Sequence, residues 1–179
     1  SACLVGSEMC IRDRLALGGS LAWIAAFAGA FAAAAADTFG TEIGTLARTR
    51  PRSILTLRPL ATGLSGGITF LGTGAEVAGA VLVATVTAAW CVPQASMAHT
   101  FAAVAVGGVM GALADSLLGA TLQARNRCPQ CQRDCETDPH VCGSRAPRVR
   151  GVGWMTNDAV NLCATLCGAL VAFSAVRLF

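Results

Sequence analysis

The sequence predicts an all-α integral membrane protein, a polytopic helical bundle with four transmembrane helices. Of its 179 residues, 54% are hydrophobic and only 13% are charged, which is about half the charged share of ordinary soluble domains. The mean hydropathy is +0.60. Four apolar stretches are each long enough to cross a bilayer, because a helix needs about 20 apolar residues to span a hydrocarbon core of ~30 Å.

The four apolar stretches contain very few charged or titratable residues. In chain order they cover residues 15–36, 67–90, 97–122 and 152–176. Only Glu76, His99, Asp115 and Asp158 interrupt them. A soluble bundle of alanine-rich helices is the alternative, but each helix of such a bundle would need a polar face to meet water.

The connectors between the stretches differ in charge. The first loop, residues 45–66, carries four arginines and no acid, and the third loop, residues 124–150, carries six arginines and three acids. The connector near residues 91–96 is uncharged. With four spans, the first and third loops lie on the same side of the membrane, and the positive-inside rule places both in the cytoplasm.

Residues 1–14 differ from the rest of the chain. They read SACLVGSEMCIRDR and resemble the peptide obtained when sequencing-adapter DNA is translated, so we exclude this non-native tail from fold prediction. The membrane domain is then expected to cover residues 15–179 and to be a fragment of a longer protein.

Five acidic residues, one of them Glu76 inside the second span, lie in or beside the spans, where an acid costs at least ~2.5 kcal/mol at mid-membrane and is a functional candidate. Asp37 and Glu42 follow the first span, Asp115 lies near the end of the third, and Asp158 begins the fourth. In a four-span topology all of these positions lie in the leaflet next to the first and third loops. We therefore predict one site there, with Asp37, Glu42, Asp115 and Asp158 as its catalytic acids.

Magnesium and phosphate both suit this predicted site. Mg²⁺ is usually held by one or two carboxylates together with substrate phosphates, so Asp37, Glu42 and Asp115 are the predicted magnesium ligands. A glycine-rich turn at residues 64–69 leads into the second span, and free N–H groups at a helix N-terminus attract phosphate. The residues predicted to bind substrate or nucleotide are Thr38, Gly66, Gly67, Thr69, Gly72, Thr73, Ser116, Asn157 and Asn161.

The third loop is rich in cysteine. Cys128 and Cys131 form a Cys-x-x-Cys pair that is followed by Cys135, His140 and Cys142, which gives five donors where tetrahedral zinc needs four. A cytoplasmic location favours a metal over disulfides. The simplest predicted zinc set is Cys128, Cys131 and Cys142 with either Cys135 or His140. A reduced loop without metal, or a redox-active pair, is the alternative.

The composition excludes several function classes. The chain contains thirteen arginines and no lysine, whereas a P-loop nucleotide site and Schiff-base catalysis both depend on a lysine. The net charge of +3 is smaller than nucleic-acid-binding proteins usually carry. No nucleic-acid partner is expected.

Four sequence motifs, in this order, resemble the transmembrane protein 19-like family of multi-span membrane proteins, which is also classed as a domain of unknown function. The motifs are ADTFGTEIG, TGLSGGITFLGTGAEVAGA, GALADSLLGATLQ and WMTNDAVNL. The resemblance covers residues 15–179, and the family includes a plant phytyl-phosphate kinase that uses CTP. The chain departs from the family pattern at Glu76, where a small residue is expected, and in lacking further N-terminal spans.

The resemblance implies a membrane-embedded kinase. Its substrates would be CTP or another nucleoside triphosphate and a phytyl-like isoprenyl phosphate, and magnesium would assist phosphoryl transfer at the cytoplasmic leaflet. Two alternatives stay open. The same acids would serve an ion- or proton-coupled transporter, and a zinc loop would serve a membrane scaffold that docks a soluble partner.

Overall fold

Four long helices dominate the computed structural model, which describes residues 19–178. They are α1 (Gly19–Gly44), α2 (Phe70–Trp90), α3 (Met97–Thr121) and α4 (Asn157–Leu178), with a short 3₁₀ turn at Gln94–Ser96. All four are long and apolar enough to cross a membrane, which confirms the predicted helical membrane bundle. The predicted non-native tail, residues 1–14, lies outside the described residues.

Helices α1 and α3 form the centre of the bundle. Each packs against the other three helices, whereas α2 and α4 pack against α1 and α3 rather than against each other. The C-terminal ends of α1 and α3 and the N-terminal ends of α2 and α4 all contribute to one cavity. The two central helices therefore carry Asp37 and Asp115 toward the same end of the bundle.

The helices pack through small residues. A Cβ atom placed on Gly168 would lie 2.6 Å from the Gly29 carbonyl oxygen, so α1 and α4 meet backbone to backbone. The buried positions of the bundle are mostly alanine and glycine, while large side chains such as Trp23, Phe27 and Phe31 are exposed. This distribution is typical of membrane helices, because close packing rather than the hydrophobic effect drives their association in lipid.

Helix α1 extends further than the apolar pattern indicated. The uncharged stretch ends at Ala36, but the helix continues through Asp37 and Glu42 to Gly44. The Thr38 hydroxyl donates a hydrogen bond to the Ala34 carbonyl oxygen at 2.8 Å, so this polar side chain is accommodated within the helix. The two acids expected after the span lie instead within its last turns.

Two small antiparallel sheets occupy the loops, and the sequence did not predict them. In one of them, β1 (Arg52–Ser53) of the first loop pairs with β2 (Gly67–Ile68), which lies between that loop and α2. In the third loop, the strands β3 (Arg125–Cys128), β4 (Arg133–Cys135) and β5 (Arg148–Arg150) form a sheet with the order β4-β3-β5. These strands are too short and too polar to show the apolar alternation that marks a strand in a sequence.

The three-stranded sheet is attached to the ends of α3 and α4. The Val152 N–H donates to the Leu122 carbonyl oxygen and the Ala124 N–H donates to the Met155 carbonyl oxygen, both at 2.9 Å. The Arg150 guanidinium donates to the Ala120 carbonyl oxygen at 2.7 Å. Carbonyl groups in the last turn of a helix lack partners within the helix and attract cations, so this contact anchors the loop on α3.

Candidate functional site

A cavity of about 270 Å³ lies at the end of the bundle next to the first and third loops. All four helices, the glycine-rich turn and the cysteine-rich loop contribute to its wall. The polar side chains that line it include Asp37, Thr41, Thr45, Ser65, Thr69, Glu76, Asp115, Ser116, Glu136 and Asn157. A second cavity of about 90 Å³ shares Asp37 and Asp115 with the first and is also lined by Thr38, Asn161 and Thr165.

One face of α1 lines the main cavity. Asp37, Gly40, Thr41 and Gly44 all contribute, and their spacing of three and four residues is that of a single helix face. Glu42 follows Asp37 by five residues, which turns it about 140° around the helix. It is exposed and does not line the cavity, so the predicted set of Asp37, Glu42 and Asp115 is not brought together.

A different glutamate takes the place expected for Glu42. Glu76 of α2 lines the cavity together with Gly72, four residues earlier and therefore on the same helix face. It reaches so close to α1 that a Cβ atom on Gly40 would lie 2.5 Å from the Glu76 Cγ. Glu76 thus contributes a third transmembrane carboxyl group to the cavity.

The lining of this cavity is acidic, and Glu136 at its edge has a basic neighbour in Arg125. Asp37, Glu76, Asp115 and Glu136 line it, and no arginine does among the residues that the structure describes. The Asp115 Oδ2 atom is buried and has no hydrogen-bond partner within that same part of the chain. Buried polar atoms are almost always paired. This oxygen is therefore suited to bind a proton, to accept a hydrogen bond from a water molecule or to ligate a cation.

The glycine-rich turn is pressed against the C-terminal end of α3. Gly66 has a φ of +81°, and a Cβ atom there would lie 2.6 Å from the Ala120 Cβ and 2.7 Å from the Ala120 backbone nitrogen. Only glycine fits such a position without strain. Thr69 ends the turn as the N-cap of α2, where its hydroxyl accepts a hydrogen bond from the Gly72 N–H at 2.9 Å. The Thr69 side chain therefore positions the helix start and satisfies one of its N–H groups.

Glu136 connects the cysteine-rich loop to this turn. Its carboxylate accepts hydrogen bonds from the Ser65 N–H at 2.7 Å, the Ser65 hydroxyl at 3.0 Å and the Gln123 side-chain amide at 2.8 Å. The Arg125 guanidinium donates to the Ser65 carbonyl oxygen at 3.3 Å. The loop thus contacts Ser65 on its amide, its hydroxyl and its carbonyl group.

The other predicted site residues divide between the two cavities and the surface. Gly66, Gly67, Thr69, Gly72, Ser116 and Asn157 line the main cavity, and Thr38 and Asn161 line the second. Thr73 and Asp158 are exposed and line neither. Asp158 lies in the first turn of α4, where a carboxylate is stabilised by the positive end of the helix dipole.

Four donors of the cysteine-rich loop form a cluster that could hold a metal ion. The ligand atoms of Cys128, Cys131, His140 and Cys142 all lie within 4.8 Å of one another. The His140 Nδ1 lies 3.1 Å from the Cys142 Sγ, and the Cys128 Sγ lies 3.6 Å from that of Cys142. Cys135 is outside this cluster, and its thiol donates to the Thr137 carbonyl oxygen. The geometry therefore selects His140 rather than Cys135 as the fourth donor.

The two thiols of the Cys-x-x-Cys pair differ in acidity. Hydrogen bonding to Cys142, together with desolvation, raises the pKa of Cys131 to about 11. The Cys131 backbone N–H donates to the Cys128 sulfur at 3.4 Å and lowers the pKa of Cys128, because an N–H donor stabilises a thiolate. Cys128 is also fully buried. Of the four donors in the cluster, it is the one that the fold buries.

Sequence reasoning considered Glu76 a functional candidate but left it out of the predicted site, and it missed Glu136 altogether. The spacing of Thr69, Gly72 and Glu76 by three and four residues is a helical signal that would have placed Glu76 on the cavity face. Glu136 has no comparable local signal, because its position depends on the pairing of β4 with β3 and on the docking of the loop.

Comparison with known proteins identifies relatives but no solved fold. The profile of the family described as integral membrane protein DUF92 matches residues 1–169. Protein PGR of Arabidopsis thaliana is 30% identical over 170 residues, covering 88% of this chain and 57% of that protein. An uncharacterized membrane protein of Methanocaldococcus jannaschii is 31% identical over 140 residues, covering 78% of this chain and 46% of that protein. The chain thus spans about half the length of these relatives. No solved structure matches it.

Proposed function

The chain belongs to the DUF92 family of integral membrane proteins, and on that premise we propose that it is a membrane-embedded kinase. The donor would be CTP or another nucleoside triphosphate, and the acceptor a phytyl-like isoprenyl phosphate. The observation that carries the proposal is the main cavity, where carboxyl groups from three transmembrane helices meet a glycine-rich turn at the start of α2. Phosphoryl transfer needs chiefly positioning and charge neutralisation: the turn would serve the first, and a cation held by the carboxyl groups would serve the second.

The residues of the cavity fit magnesium. Asp37, Glu76 and Asp115 offer oxygen ligands, and the unpartnered Asp115 Oδ2 is an acceptor that a cation would satisfy. Without a cation, a cavity that is lined by four carboxyl groups, and by no arginine among the described residues, would repel a phosphate, so a phosphate-binding role would require a metal ion. Bound Mg²⁺ would neutralise the charge that develops on the transferred phosphoryl group.

The chain's own residues would position the two substrates. In the reaction, an oxygen of the isoprenyl phosphate attacks the γ-phosphorus of CTP, and the bond from that phosphorus to the β,γ-bridging oxygen breaks to release CDP. Backbone N–H groups around Gly66 and Gly67 and at the start of α2 would orient the nucleotide phosphates. Ser116 and Asn157 would hydrogen-bond to the acceptor phosphate. The isoprenyl chain would lie in the membrane beside the helices.

We place this reaction at the cytoplasmic leaflet. The main cavity lies at the same end of the bundle as the first and third loops, which carry ten of the thirteen arginines, and the positive-inside rule orients such loops toward the cytoplasm. Nucleotides would reach the cavity from that side. Modification of introduced surface cysteines in loop one by a membrane-impermeant reagent, compared in intact cells and in inverted vesicles, tests this orientation.

Transfer of labelled phosphate tests the proposed activity. The chain in lipid nanodiscs should transfer the γ-phosphate of CTP to geranylgeranyl or phytyl phosphate when Mg²⁺ is present. Asp115→Asn should lower kcat by about 100-fold, as loss of a charge-stabilising group commonly does. Asp158→Asn is the matched control, because it removes an exposed acid outside the cavity, and it should leave the rate unchanged. Absence of transfer from every nucleoside triphosphate, with the protein folded, would reject the proposal.

The second cavity favours one alternative, an ion- or proton-coupled transporter. It extends from Asp37 and Asp115 to Asn161 and Thr165, so polar groups continue beyond the main cavity, and ionisable residues inside membranes often mark ion paths. Proteoliposome flux that is lost in Asp115→Asn and in Asn161→Leu, without any phosphoryl transfer, would support this reading over the kinase.

We also propose that the Cys/His cluster holds zinc. Three thiol sulfurs and one imidazole nitrogen are a common structural zinc set, and zinc favours the tetrahedral arrangement that four converging donors allow. Purified protein should contain one zinc ion per chain by mass spectrometry of the metal, and Cys128→Ser should lose it. Cys135→Ser should retain it, because Cys135 lies outside the cluster.

A further inference from the structure

The cysteine-rich loop hydrogen-bonds to Ser65 in the wall of the main cavity. Glu136 accepts hydrogen bonds from both the amide and the hydroxyl of Ser65, and Arg125 donates to its carbonyl oxygen. Ser65 immediately precedes Gly66, and both line the cavity. The glycine-rich turn is therefore hydrogen-bonded to a residue 71 positions away in the chain.

The metal-binding cluster encloses the segment that carries Glu136. Cys128 and Cys131 precede it, and His140 and Cys142 follow it. A metal ion at the cluster would close residues 132–139 into a short loop and restrict the conformations that Glu136 samples. Closing a loop in this way removes entropy from the open state. In the absence of metal, the pairing of β4 with β3 and the hydrogen bond from Ala146 to Asp138 hold this segment.

From these contacts we propose that metal binding in the cysteine-rich loop sets the conformation of the glycine-rich turn, with Glu136 as the positioning residue that connects them. Metal occupancy of the loop would then control whether the cavity is formed for its ligand. This inference rests on the zinc site proposed above, and it does not require that the cavity bind CTP.

Hydrogen exchange at the turn gives a direct readout of this connection. The Ser65 N–H donates a hydrogen bond to the Glu136 carboxylate. The exchange rate of this N–H therefore reports whether the hydrogen bond to Glu136 is formed. Full-length protein in nanodiscs, loaded with Zn²⁺ or stripped with a chelator, is compared by exchange mass spectrometry over a peptide covering residues 61–68. Stripping zinc should speed exchange in this peptide by about tenfold or more, the scale expected when a local contact opens. Peptides from α1 should not change, which shows that the bundle remains folded.

Two variants separate the proposed connection from a general effect of the loop. Glu136→Ala should keep its zinc and should already show fast exchange at the turn, and stripping zinc should add no further increase. If the effects of the substitution and of zinc removal do not add, both act on the turn through Glu136. Asp134→Asn is the matched control, because Asp134 is an exposed acid of the same loop that pairs with Arg127 rather than with the turn. Asp134→Asn should show the same exchange at residues 61–68 as the parent protein, both with and without zinc.

Each outcome bears on a different proposal. Equal exchange at residues 61–68 with and without bound zinc would overturn the connection while leaving both the zinc site and the kinase proposal intact. An additive effect of zinc removal in Glu136→Ala would overturn the role of Glu136. A chain that binds no zinc would overturn the inference together with the zinc site. Absence of phosphoryl transfer alone would leave all of these results unaffected.

Discussion

Replacing Gly66 by alanine tests the contact between the glycine-rich turn and α3. Two costs are expected from the structure. The φ of +81° lies in the left-handed region, where a side chain costs roughly 1–2 kcal/mol. The new Cβ would also lie 2.7 Å from the Ala120 backbone nitrogen and Cα, and overpacking against atoms that cannot rotate away costs about 1–3 kcal/mol. The expected loss of stability is therefore about 2–5 kcal/mol.

Gly63→Ala is the matched control for this experiment. Gly63 lies three residues earlier, just before this turn, and also has a positive φ, +87°, but no atom of the described residues lies within 4 Å of its added Cβ. Gly63→Ala should lose stability only because alanine disfavours the left-handed backbone conformation. The expected loss is about 1 kcal/mol, since alanine also reduces the freedom of the unfolded chain. The difference between the two variants isolates the contact with Ala120.

Unfolding in detergent, followed by circular dichroism during heating and during titration with SDS, measures both variants. Gly66→Ala should lower the midpoint temperature by at least 4 °C or so, since each kcal/mol shifts Tm by roughly 2–4 °C for a chain of this size. Gly66→Ala should also lower the affinity for magnesium and nucleotide if the turn binds phosphate. Equal destabilisation of Gly66→Ala and Gly63→Ala would refute the close packing of the turn on α3.

Three further predictions concern the bundle and its loop. Gly168→Ala should destabilise the protein by about 1–3 kcal/mol, because its Cβ would lie 2.6 Å from the Gly29 carbonyl oxygen. Gly74→Ala, where the added Cβ has open space, should instead be neutral or stabilise by up to about 1 kcal/mol; SDS titration distinguishes them. Arg150→Met should cost about 1 kcal/mol by losing its hydrogen bond to the end of α3, and a loss no larger than that of a variant of the exposed Arg145 would contradict the anchoring role. Zinc affinity should fall as pH decreases below 7, because its thiol and imidazole donors must lose protons to bind; a pH-independent affinity in metal-competition titrations would argue against the Cys/His ligand set.

The membrane fold follows directly from the sequence, because long apolar stretches must form helices in lipid. The convergence of Asp37 and Asp115 also follows, since alternating spans bring their ends to one side of the membrane. Glu42 shows where this reasoning fails. Proximity to Asp37 in the chain suggested a shared role, but the continuation of α1 turns the two side chains to different faces.

The cysteine-rich loop was harder to predict than the spans. Its donor spacing indicated a metal site but left Cys135 and His140 as equal candidates. The choice of His140 depends on a fold in which residues distant in the chain approach each other. The same is true of Glu136, whose partners Ser65 and Gln123 lie in other parts of the chain. Contacts of this kind leave no periodic signal in one sequence.

The alanine and glycine interior has a consequence for how this protein tolerates change. In a water-soluble domain, the most damaging substitutions usually hollow out the core. Here there is little bulk to remove, so the vulnerable positions are those where even one added methyl group would push two helix backbones apart. A saturation mutagenesis map should therefore show an inverted profile, with lipid-facing leucines and phenylalanines freely exchanged for one another and interior alanines intolerant of any enlargement.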